Sequence, residues 1–259
     1  MFLKGFKAYS RLNIAMKAGF YGLLVAIILY FIAYILTTVY LLWVLDIIEV
    51  PAREFIAGAS WAFTLRSVLL VTILVAVLLI ITVFKYMGLQ PLSMLERFAV
   101  IRKYTRVLLL GIFVFVGVIV YTAYMAPIIC STVYNTIASR DLFFIRPWDR
   151  FYYLWMRPGW IYSEIKQLLF KLSVAVLIAT LFFLFIVLVE LIALRTLISK
   201  PSRLALVFVS VSTLALLVYS VLKVLGVTSI FLELIVLAFL FLYAYGNSKL
   251  IEPLQLLLV

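Results

Sequence analysis

Six long stretches of this chain are almost free of charge, and their length limits the fold more than any other feature. They run from Phe20 to about Leu45, Ser67 to about Met87, Val107 to Cys130, Leu168 to Ile198, Leu204 to Leu225 and Ser229 to Tyr245. Each approaches or exceeds the roughly 20 residues that cross a hydrocarbon layer about 30 Å thick. Backbone amides find no water in lipid, so a spanning segment must satisfy its own N–H and C=O groups, as an α-helix does. A transmembrane barrel would need alternating residues, and these runs are continuously apolar. The expectation is an all-α, polytopic integral membrane bundle with six transmembrane helices, forming a single membrane domain over residues 1–259.

Composition agrees, because 68% of the residues are hydrophobic, against about 45–50% in soluble domains. The 22 Lys and Arg outnumber the 10 Asp and Glu. Beside lipid head groups such an excess reads as basic loops, which disfavours nucleic acid as a partner. Membrane lipids are the first partners expected.

Residues 1–19 place Phe2, Phe6, Tyr9, Asn13 and Met16 three or four apart, with Lys4, Lys7, Arg11 and Lys17 off that row. This pattern predicts a basic amphipathic helix in the head-group layer; a charged leader that only fixes topology is the alternative. The apolar run behind it is too long for a signal-peptide core. With the N-terminus inside, 13 basic residues fall on the cytoplasmic side and 9 on the other. Five of those nine lie in the long loop 131–167, where they count less. Both termini are therefore expected to be cytoplasmic, in a multi-pass protein of the cell membrane.

That loop is aromatic and rich in arginine. Trp148, Trp155 and Trp160 alternate with Arg140, Arg146, Arg150 and Arg157, and Pro147 and Pro158 break it into short pieces. Such a mixture suits an interfacial anchor, with rings buried and guanidinium groups at phosphate. It also suits docking of another membrane subunit, with Arg146, Trp148, Arg150, Trp155, Arg157 and Trp160 as the candidate contacts. The flanking helices read as longer than a bilayer needs: span three can continue to Ser139 and span four can begin near Tyr162, with Pro127 as a kink rather than a stop.

Charges inside the runs are candidate functional groups. Glu190 sits within span four, and Arg195, five residues on, lies about 140° round the helix, out of its reach. Glu190 must then meet another helix, a wet cavity or a proton. Arg195 reads as snorkelling, and Lys85, at the end of span two, as a snorkelling boundary residue. Lys223 and Glu233 flank the short turn Gly226–Ser229 and can pair across it. In the connection Gly88–Arg106, Pro91, Ser93 and Glu96 have the spacing of a helix start. A short amphipathic helix there resembles, in placement only, the coupling helices through which permeases meet a motor ATPase; a helix resting on lipid is the alternative. Small residues four apart, at Ala15/Gly19, Ala18/Gly22, Gly58/Ala62 and Ala175/Ala179, allow close helix approach.

Catalytic chemistry finds little material. There is no His, and the one cysteine, Cys130, cannot build a multi-Cys metal site. Asp46, Asp141 and Asp149 lie outside the spans, and no Asp-rich Mg²⁺ motif occurs. The expectation is no catalytic, cofactor-binding or metal-binding residues, and a non-catalytic subunit of a larger complex that forms or scaffolds a transport path. A permease driven by a separate ATPase is the alternative, since the sequence has no P-loop. A lipid-modifying membrane enzyme is the least favoured.

Overall fold

The computed structural model describes four complete helices: α1 (Ala52–Ser93), α2 (Ala99–Ser139), α3 (Ser163–Leu197) and α4 (Arg203–Val224). It also describes the turn 225–227 and scattered helical positions within 21–36 and 232–246. The described residues outside that turn are all helical, and α1–α4 each contain a stretch long and apolar enough to cross a membrane: Ser60–Met87, Val100–Thr136, Glu164–Ile192 and Leu206–Val224. The predicted amphipathic helix 1–19 and loop segment 140–162 lie outside the described residues, as do most positions of the first and sixth runs.

Three helices exceed their predicted spans. With 42, 41 and 35 residues, α1, α2 and α3 extend about 63, 61 and 52 Å at 1.5 Å per residue. Helix α2 continues through Pro127 to Ser139, as the sequence suggests. Among its described residues, the connection Gly88–Arg106 forms no separate amphipathic helix. Residues 88–93 complete α1, with Pro91 inside its last turn, and Ala99–Arg106 opens α2. Capping explains the boundary: the Arg102 guanidinium donates to the Ser93 carbonyl at 3.2 Å, satisfying a C-terminal acceptor of α1 from across the connection.

Helices α1, α2 and α3 pack as an antiparallel zigzag. Thr72 and Thr122 share a hydrogen bond of 3.3 Å between α1 and α2, while Gly111 lies close to both Thr82 on α1 and Ile186 on α3. Going up α1 is thus going down α2. Gly111 lies where the three helices meet: a Cβ there would stand 2.5 Å from the Ile186 Cδ1. Ala175 and Ala179, one of the small-residue pairs, are buried on α3. Helix α4 stops in a Schellman turn, with Val227 N–H donating to Leu222 O at 2.9 Å and Gly226 N–H to Lys223 O at 3.0 Å. Gly226 has a φ of 83°, which L side chains rarely adopt.

The packing divides into two clusters. The larger contains Leu78, Leu108, Phe115, Ala179, Phe183 and Ile186 and reaches Leu216, Val236 and Tyr243. The smaller contains Phe63, Met125, Ile129, Val133, Ile165 and Leu172. Buried hydroxyls mostly turn back on their own helices: Thr64 to Ser60 O, Thr82 to Leu78 O, Thr180 to Leu177 O and Thr213 to Val209 O. Such bonds hide polar groups from lipid without lining a wet path.

Candidate functional site

The chain buries one ion pair among the described residues. Lys85 on α1 donates to Glu190 Oε2 on α3 at 2.5 Å, with the two side chains only 2% and 7% exposed. The same ammonium donates to the Tyr243 hydroxyl at 2.7 Å, and that hydroxyl lies 3.5 Å from Glu190 Oε2. Tyr243 is held in turn by its ring, which meets Phe183 edge-on with centroids 5.0 Å apart. Three segments far apart in sequence are thereby joined through one carboxylate oxygen and one ammonium.

The arrangement corrects the reading of Lys85. A snorkelling lysine sends its head group to water, whereas this one is turned inward and buried. The cause is Glu190: an unpaired carboxylate in an apolar interior is costly, and a neighbouring helix that supplies a cation and a hydroxyl offsets that cost. Of the three ways in which Glu190 could be accommodated, the structure has the first, another helix.

Spacing places the pair along the bundle. Eighteen uncharged residues separate Arg66 from Lys85, and eighteen separate Lys171 from Glu190. Each interval corresponds to about 28 Å of helix, close to the hydrocarbon thickness. Arg66 and Lys171 thus mark one level and the Lys85–Glu190 pair the other. Exposed Arg102, Lys103 and Arg106 form a basic collar around the start of α2, near the pair. These matched intervals are the signal that sequence reasoning missed. In two helices running the same way, equal spacing from a basic residue puts Lys85 and Glu190 at one depth. Nothing comparable pointed to Tyr243 or Tyr104.

Tyr104 completes the surroundings. It is 3% exposed, its hydroxyl makes no hydrogen bond within 3.5 Å among the described residues, and its electrostatic neighbours are Glu190 and Tyr243. Among the described residues, the other candidate is not brought to this place. Lys223 is half-buried at the end of α4, its Nζ 5.7 Å from the ring centre of Tyr219 one turn earlier. Glu233, Arg146, Trp148, Arg150, Trp155, Arg157 and Trp160 lie outside the described residues. Among the described residues no three His, Cys, Asp or Glu come together as metal ligands do.

Chemically, the cluster is a charge-compensated clasp. Its ammonium, carboxylate and phenol are engaged with one another. Its net charge is zero, which suits burial between helices. The fold and the clasp define an all-helical membrane protein with at least four helices able to span. No family model matches the chain, and no curated protein or solved structure is significantly similar to it.

Proposed function

We propose that the chain is a six-span, non-catalytic subunit of a larger assembly in the cell membrane, with both termini cytoplasmic, forming or scaffolding a transport path. The observation that carries this reading is the extent of the helices beyond one bilayer thickness. Past the level of Arg66 and Lys171, α1 continues for fourteen residues and α3 for eight. At 1.5 Å per residue these extensions are roughly 12–20 Å long. They are packed on their own apolar cluster of Phe63, Ile129, Val133 and Ile165.

A bundle that needed only to sit in lipid would not need this extension. In sequence the Arg- and Trp-rich segment 140–162 joins α2 to α3, and its Arg146, Trp148, Arg150, Trp155, Arg157 and Trp160 are the proposed contacts with a neighbouring subunit. The self-satisfied hydroxyls favour a scaffold or a shared path over a channel built from this chain alone. The permease alternative would need a coupling surface elsewhere than Gly88–Ser93, which is the end of α1.

The test is the protein mass of the particle extracted in mild detergent, measured by light scattering with the lipid and detergent contribution removed. The proposal expects a mass well above the 29.6 kDa of one chain, falling when Trp148, Trp155 and Trp160 are all replaced by Ala. A particle of one chain in every mild detergent would overturn it.

A further inference from the structure

We infer that the groove between α2 and α3 is a binding site for one anionic phospholipid, whose phosphate meets Lys171 and whose acyl chain lies in the groove. This goes beyond the assembly reading and rests only on the helices crossing a bilayer. The groove has a volume of about 480 Å³ and is lined by Val114, Gly117, Val118, Tyr121, Phe170, Lys171, Val174, Ala175 and Ile178. That volume lies within the range of specific ligand sites.

Three observations select this occupant. The first is shape. A Cβ on Gly117 would meet nothing within 4 Å, so the small residues Gly117 and Ala175 leave open space between the helices, which an apolar chain can fill.

The second is depth. Lys171 stands at the level that closes the uncharged interval of α3, and the lining on that helix runs inward from it to Ile178, about 10 Å by helix rise. The groove therefore begins at the boundary of the hydrocarbon and stays within the half-thickness of a layer about 30 Å deep. A phospholipid in that leaflet has its phosphate and its chain in this same order.

The third is charge. Lys171 is exposed, forms no ion pair among the described residues, and is the one charged group among the described residues that line the groove. A partner helix would have no need of a cation at this depth, whereas a phosphate does. One lysine near a membrane surface favours an anionic over a zwitterionic lipid by about five-fold.

The experiment uses the full chain in mild detergent, titrated with phosphatidylglycerol and phosphatidylcholine of identical acyl chains and read by native mass spectrometry. The expected result is one retained lipid, with phosphatidylglycerol preferred about five-fold. Lys171→Gln should bring the two lipids to equal retention, and Gly117→Leu, which fills open space, should reduce retention of both. Equal retention of the two lipids by the unaltered chain overturns the inference. So does a preference that survives Lys171→Gln, or capture of a protein instead of lipid by a photo-crosslinker at Ile178 in native membranes. Particle mass reports on the assembly and the lipid ratio on the groove, so either proposal can fail alone.

Discussion

The same three helices are held together by different means at their two ends. Near Glu190 an ammonium of α1 and a carboxylate of α3 meet the phenol of Tyr243, while α2 joins them there through apolar side chains such as Leu108. Beyond Lys171 they are joined by Phe63, Ile129, Val133 and Ile165, with no charge among them. The surroundings account for the difference. In lipid, apolar side chains gain no hydrophobic free energy by leaving the solvent, so polar contacts and close packing must discriminate one arrangement from another. In water, burial of apolar surface drives association by itself. The contrast is the one expected of a bilayer whose boundary is proposed to lie near Lys171.

The largest effect should come from breaking the clasp on one side. Lys85→Met leaves Glu190 buried without its cation, which should cost about 3–5 kcal/mol. Thermal unfolding in detergent should show the loss, and Lys85→Met combined with Glu190→Leu should recover most of it. If the double variant is as unstable as the single one, the pair is not the reason these segments adhere.

The next effect compares the ends directly. Ile129 and Ile186 are both fully buried, one in each cluster. Ile129→Ala removes burial that water enforces and should cost about 2–4 kcal/mol. Ile186→Ala loses packing while its alternative environment is lipid, so its cost should be roughly half as large. Equal losses would mean that both clusters see the same solvent, and the assigned boundary would fall.

How much of this was legible beforehand differs between the ends for the same physical reason. Helix existence could be read from apolar length, because lipid leaves the backbone no alternative; the continuation of α2 to Ser139 through Pro127 follows from an uncharged run that does not stop at Cys130. Glu190 could be marked as needing a partner from its charge alone. Its partner could not be named from Lys85 in isolation, since a lysine at the end of an apolar run can turn outward or inward and only its neighbours decide. Pro91 misled for a related reason. Its spacing to Ser93 and Glu96 fits a helix start, yet α1 carries it in a last turn that Arg102 caps from a distance.

A smaller effect tests the close approach between the clusters' helices. Gly111→Ala puts a methyl against the Ile186 Cδ1 and should cost about 1–3 kcal/mol through overpacking. Because the obstructing atom is the end of one side chain, Ile186→Val in the same chain should relieve the strain. Unfolding temperatures of the two single variants and the double one would show this as recovery rather than addition. Additive losses would mean that the backbones, not that methyl, limit the approach.

The smallest effect separates two tyrosines that share one carboxylate neighbour. The Tyr243 hydroxyl accepts from Lys85 at 2.7 Å and lies 3.5 Å from Glu190, so Tyr243→Phe leaves an ammonium proton without its acceptor. A loss of about 1–2 kcal/mol is expected, since hydrogen bonds to charged groups are the stronger kind. The Tyr104 hydroxyl, buried beside Glu190, makes no hydrogen bond within 3.5 Å among the described residues, so Tyr104→Phe removes a desolvated group that gains at most a weak contact with that carboxylate. That change should leave stability unaltered or raise it slightly. Detergent unfolding of the two variants side by side tests whether the clasp is an ordered set of bonds or a general polar patch. If Tyr104→Phe costs as much as Tyr243→Phe, the phenols are interchangeable and the clasp extends to all four side chains.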